Sequence, residues 1–182
     1  YPLSRHIANL NIDTVGRLDD GKVTVLGTGS ARELPFIFMG AGAVTGVPTQ
    51  SVSQPVNGSD DTVFVQAGVP AVQLFASVGT DYHRPTDTPD KIDYGGMSKV
   101  AAVLKEAIDY LSVRPEPMNF TAGVAAAPAR EPAPQSPTRR VSTGVVPDMT
   151  NLDEGVLVAN VQPGSGADAA GLQAGEIGRA HV

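Results

Sequence analysis

The order of apolar and polar positions divides the chain into short alternating runs. Ile7 to Val15 and Lys22 to Leu26 read as strands, the second with Val23 and Val25 alternating with polar neighbours. Ser30 is placed to cap a short helix starting at Ala31, with Glu33 in its first turn. Asp60 and Asp61 precede a further short helical stretch that Gly68 would end. Val69 to Ala76 is nearly continuously apolar, as a buried strand requires. The clearest helix follows Gly96, where Met97, Val100, Ala101, Leu104, Ala107, Ile108 and Leu111 recur at helical spacing. Asp93 is its expected cap and Arg114–Pro115 closes it. Strands alternating with helices in this way predict an α/β sandwich.

The pattern then stops. Six prolines (115, 117, 128, 132, 134 and 137) and the Ala125 to Ala127 run fall between Arg114 and Arg140 without apolar periodicity. Such composition predicts an extended linker. Beyond it, Gly144 to Val146, Gly155 to Val161 and Asp168 to Leu172 read as strand, strand and short helix. The expected division is residues 1–113 as one domain, 114–140 as linker, and 141–175 as the start of a second, β-rich domain. A stretch that short is too small to fold independently.

Composition narrows the function classes. With 13 Lys and Arg against 19 Asp and Glu, the net charge is −6. A nucleic acid or anionic membrane partner needs a cationic face, so neither is expected. There is no Cys, which removes disulfides, thiolate zinc sites and cysteine nucleophiles. The longest apolar stretch, Leu34 to Val47, is too short and too glycine-rich to span a membrane.

Inside that stretch, Gly40-Ala-Gly42-Ala-Val-Thr-Gly46 imitates a dinucleotide-binding turn. That turn needs a long helix after its last glycine, and Val47-Pro48 prevents one, so nucleotide binding is not expected. Neither a phosphate loop nor a Gly-x-Ser-x-Gly elbow is present. The chemically informative segment is Asp81-Tyr-His-Arg-Pro-Thr-Asp-Thr-Pro-Asp90. It sets one histidine among carboxylates in a proline-pinned loop, directly after a buried strand, where α/β sheets bind ligands. On chemistry alone it is either a metal-ligating loop or an acidic turn capping the next helix. Asp13, in an otherwise apolar run, is either a metal ligand or a strand-end carboxylate accepting backbone hydrogen bonds. His6 and His181 lack neighbouring carboxylates and read as solvated.

Three segments together resemble a known family: "NIDTVGRL", "GSDDTVFVQAGVPAVQLFA" and "DYHRPTDTPDKIDYGGMSKVA". They are similar to the C-terminal half of co-catalytic zinc aminopeptidases of the leucyl aminopeptidase and glutamate carboxypeptidase type. Residues 141–175 resemble the first half of a bacterial PDZ domain. The resemblance implies a three-layer α/β sandwich with a mixed central sheet, present in part, followed by a truncated PDZ-like domain. It implies two zinc ions per intact domain, Asp13 ligating one and His83 the other. Tyr82 matches a residue that, in some members, donates its hydroxyl to the tetrahedral intermediate, which makes it the catalytic candidate. Asp87 is expected to orient His83, and Asp60 to support the site from behind its ligands. Asp61 stands where the family usually has histidine. The remaining ligands and the base Glu of the family have no counterpart in these residues, so the 182-residue polypeptide alone is expected to be inactive.

The implied partners are a peptide or protein substrate and, for the PDZ-like unit, peptide C-termini. The implied location is secreted or periplasmic. The competing expectation is a non-catalytic, peptide-binding protein built on the same two units. Residues 176–182 depart from the PDZ-like pattern and are expected to be a non-native tail of adapter origin.

Overall fold

The computed structural model describes residues 2–19, 21–54, 59–121, 143–148 and 155–178. They fall into two compact units, residues 1–77 with 92–129 and residues 78–91 with 130–182. Most of the expected linker lies outside the described residues.

The first unit is built on a four-stranded mixed sheet in the order β1-β4-β2-β3. Its strands are β1 (Asn9–Ile12), β2 (Val23–Leu26), β3 (Thr49–Val52) and β4 (Ala71–Phe75). β1 runs parallel to β4, β3 runs parallel to β2, and β2 meets β4 antiparallel. Three helices accompany the sheet: α1 (Leu34–Thr45), α2 (Asp61–Gln66) and α3 (Tyr94–Val113). Val23 and Val25 of β2 and Val72 and Leu74 of β4 form one core with Leu34 and Phe38 of α1 and Val100 and Val103 of α3. Leu10 packs against that core, so Asn9 and Asn11 lie on the opposite face of β1, where α2 packs. Helices thus lie on both faces of a mixed sheet, as expected.

α1 departs from the sequence expectation. No helix starts at Ala31. Ser30 instead ends a 3-10 turn, and its hydroxyl donates to the carbonyl of Ala71 and accepts from its amide. The helix starts at Leu34, with Pro35 in its first turn, and takes in Gly40 and Gly42 before Gly46 ends it at φ 71°. The glycines are helix interior, not a ligand-binding turn. A Cβ on Gly42 would lie 2.8 Å from Thr49 Oγ1 and 2.9 Å from the Val47 carbonyl oxygen, so close approach to β3 requires this glycine.

α3 forms where the apolar spacing placed it, and the Asp93 carboxylate accepts from the Gly96 amide at 2.8 Å. Its buried stripe is Gly96, Val100, Val103, Ala107 and Leu111. Met97, Ala101 and Ile108 are exposed, so the stripe is rotated from the expected one and includes Val103. The chain then stays with the first unit beyond residue 113. Met118 is buried, Phe120 bridges to Ala31, and the Thr121 amide donates to the Ser30 carbonyl. Glu33 secures this return, accepting from Arg114 at 3.1 Å and from the Asn119 side chain at 2.7 Å.

In the second unit, β5 (Val145–Pro147), β6 (Val156–Val161) and β7 (Ile177–Gly178) form an antiparallel sheet in that order. The four-residue helix α4 (Gly166–Ala169) is capped by Ser165, whose hydroxyl accepts from the Asp168 amide. β7 lies in the segment expected to be a non-native tail. Pairing with β6 uses main-chain groups, which any non-proline sequence supplies.

Candidate functional site

Asp13 stands just past β1, whose pairing with β4 ends at Ile12 and Leu74. It is exposed, not buried within a strand as the apolar run suggested. Its amide donates to the Leu74 carbonyl at 3.2 Å. The next residue, Thr14, turns the chain at φ 55°, and its hydroxyl donates to Asp13 Oδ1 at 3.1 Å. One carboxylate oxygen is thereby fixed by a short-range contact.

Tyr82, His83 and Asp87 all lie on the segment 78–91 of the second unit, which follows β4 in the chain. Asp81 organises this segment: Oδ1 accepts from the Thr86 hydroxyl at 2.6 Å and Oδ2 from Lys91 Nζ at 2.7 Å. Consecutive turns link the Tyr82 amide to the Gly79 carbonyl, Arg84 to Asp81, and Asp87 to Arg84. The Thr88 hydroxyl and its own amide hold the Asp90 carboxyl below the usual carboxylate range. Within this frame His83 adopts φ 58°, and its ring stacks on Tyr82 with centroids 4.0 Å apart. Tyr82 is half-buried, whereas His83 and Asp87 are exposed.

Thr14 and His83 are the two non-glycine residues with positive φ among the described residues. Left-handed backbone is uncommon outside glycine, costs on the order of 1–3 kcal/mol, and concentrates at functional sites. One of the two is the expected histidine ligand and the other directly follows the expected aspartate ligand. The sequence singled out Asp13 and His83 but gave no sign of the Thr86–Asp81–Lys91 clamp, since these residues follow no periodic pattern.

Asp60 is exposed at the N-cap of α2, and its side chain caps no amide. The next residue, Asp61, is fully buried. Burial pushes its carboxyl above the usual range, against the opposing influence of nearby amides and Ser59. A separate cavity of about 310 Å³ lies along α1 and α3, lined by Phe36, Ile37, Ala41, Val44, Glu106 and Tyr110 among others. It includes none of the expected site residues.

The chemistry of the expected ligands suits zinc, which takes imidazole nitrogen and carboxylate oxygen. The set is partial: no group of three or more His, Asp or Glu side chains among the described residues is arranged to hold a metal ion.

The sequence model of peptidase family M28 matches residues 2–108. Among solved structures, BSAP, a zinc aminopeptidase from Bacillus subtilis, is similar at TM-score 0.51 and 23% identity, over 62% of this chain and 30% of BSAP. An aminopeptidase from Aneurinibacillus sp. strain AM-1 is similar at TM-score 0.50 and 22% identity, over 69% of this chain and 29% of that one. At these identities the likeness is one of fold, and the chain spans under a third of either aminopeptidase's length. No curated protein matches.

Proposed function

This chain belongs to peptidase family M28, and from that premise we propose that it contributes to a zinc metallopeptidase of the aminopeptidase type, Asp13 ligating one zinc ion and His83 the other. The observation that carries the proposal is the left-handed backbone at His83 and at Thr14, beside Asp13. Strain of this kind persists where the surrounding structure over-determines it, and here it falls at one expected ligand, His83, and directly after the other, Asp13. The description of BSAP as a zinc aminopeptidase supports the choice of metal.

When bound, paired zinc ions activate water and polarise a carbonyl. The chain's own residues do the rest of what is proposed here. The Thr14 hydroxyl holds one oxygen of Asp13 and leaves the other for a metal. The Tyr82 ring braces the imidazole of His83, and its hydroxyl donates to the oxygen that gains charge as the substrate carbonyl becomes tetrahedral. Asp87 accepts from the far imidazole nitrogen and fixes the tautomer. Asp60 is assigned a supporting role behind the ligands. The substrate is a peptide, cleaved at its N-terminus.

In the second unit, residues 141–175 are read as the beginning of a PDZ-like module that takes peptide C-termini by strand addition. The three-stranded antiparallel sheet with its short capped helix supports that reading. Under the same proposal the protein works in the secreted or periplasmic space. Hydrolysis of leucine p-nitroanilide by the full gene product, abolished by a chelator and restored by zinc, is the expected result. Binding of C-terminal peptides without hydrolysis favours the non-catalytic alternative.

A further inference from the structure

Among the described residues β1 is an edge strand, and its carboxyl end leads directly to Asp13. Along one side it is held by β4, a ladder that the Asp13 amide extends by one more bond, to the Leu74 carbonyl. A second attachment comes from the α2 face. Asn11, two residues before Asp13, donates from Nδ2 to Ser59 Oγ at 2.7 Å. The Ser59 hydroxyl in turn hydrogen-bonds the carboxyl of Asp61, in the first turn of α2. Asn11 and Ser59 are half-buried, and Asp61 is fully buried. The three side chains tie the end of the strand to the start of the helix.

The relay has one direction. A serine hydroxyl has a single proton; with that proton on the Asp61 carboxyl, its lone pairs are left to accept, and the Asn11 amide supplies the donor. The far end is a fixed point, because the Asp61 carboxyl is buried and also accepts from its own amide and from that of Thr62. A strand bonded along one edge keeps freedom to twist about that ladder. A lateral tie two residues before the chain leaves the sheet removes that freedom where Asp13 needs it least.

We propose that Asn11 and Ser59 are positioning residues for Asp13, anchoring the carboxyl end of β1 to α2 through Asp61 so that Asp13 leaves the strand where it can ligate zinc. This inference rests on the proposed role of Asp13 as a ligand. Neither Asn11 nor Ser59 is assigned a contact with the metal; both act through the backbone of β1. The Thr14 hydroxyl fixes one oxygen of Asp13 relative to its own chain, and the relay fixes where that chain stands. The two devices are complementary. Groups that orient a metal ligand typically change metal affinity by roughly 10–100-fold when removed. A displacement of about 1 Å at a reacting centre costs on the order of 10²-fold in rate.

The test uses the full gene product and reads zinc retention against a competing chelator, the Tm of the zinc-free protein, and kcat with KM. Ser59→Ala and Asn11→Ala cut the relay at different links, so either decides the matter if the other does not fold. Each is expected to weaken the hold on about one zinc ion by roughly tenfold and to lower kcat with KM little changed. Ser59→Thr, which keeps the hydroxyl, should restore both. The double variant should be no worse than the worse single one, because a relay cut once is already cut. The inference is overturned by variants that lower Tm yet retain zinc as tightly as the parent, which would make the relay structural only. Losses that add in the double variant, or a Ser59→Thr protein with parental Tm that releases zinc as Ser59→Ala does, overturn it as well. Asp13→Ala is measured alongside. Zinc lost there but kept in the relay variants overturns the relay alone; zinc kept in all of them overturns the ligand assignment and the relay with it.

Discussion

The rings of Tyr82 and His83 stack with their centroids 4.0 Å apart and their planes inclined by 22°. The stack lies inside a loop tied by Asp81 to both Thr86 and Lys91. Under the proposed function two roles meet in Tyr82: its ring supports the imidazole and its hydroxyl serves the reaction.

Replacing Tyr82 with Phe separates them. In the full gene product, Tyr82→Phe is expected to lower kcat by about 10²-fold, the scale of a lost oxyanion donor, with zinc content unchanged. Tyr82→Ala should also release the stack, worth about 0.5–1.5 kcal/mol, and weaken zinc retention. Steady-state kinetics with metal analysis reads both. Equal zinc loss in the two variants would show that the hydroxyl, not the ring, supports His83.

The glycines of α1 give a paired test of packing. Gly42→Ala drives a methyl group into Thr49 and the Val47 carbonyl, and should destabilise the first unit by about 1–3 kcal/mol. Gly40 has open space around its Cβ position, so Gly40→Ala should stabilise the helix by roughly 0.5–1 kcal/mol. Urea unfolding of the two variants against the parent chain separates these signs.

Glu33 makes the return of residues 114–121 sensitive to acid. Partial burial opposes its ionisation, but hydrogen bonds from the Asn119 side chain and amide, with Arg114 beside it, hold its carboxyl below the usual carboxylate range. A lowered folded-state value means the stability is present in full above the ordinary value and is lost as pH falls through the lowered one. Glu33→Gln should flatten that acid limb and, at neutral pH, cost about 1–3 kcal/mol as charged hydrogen bonds are lost. Tm measured across the acid range shows whether the limb belongs to Glu33.

What the sequence made legible was periodic or local. α3 announced itself through its apolar spacing and Asp93 cap, and β4 through a continuous apolar run. α1 did not, because it is apolar on nearly every side and interrupted by glycine, so neither period nor propensity marks it as helix. Its glycines serve a contact with β3 that exists only after folding. Residues 114–121 carry the prolines of a linker, and their partner Glu33 is 81 positions from Arg114. Asp13 and His83 were legible as residue types in recognisable motifs. The left-handed backbone at His83 and beside Asp13, and the Asp81 clamp, required coordinates.

Zinc stoichiometry of the full gene product, measured alongside aminopeptidase turnover for Asp13→Ala and His83→Ala, tests the central claim most directly. Each substitution is expected to remove about one zinc ion and to lower kcat by 10²-fold or more, as loss of a metal that stabilises transition-state charge does. Variants that keep both their zinc and their turnover would contradict the assignment of these residues as ligands.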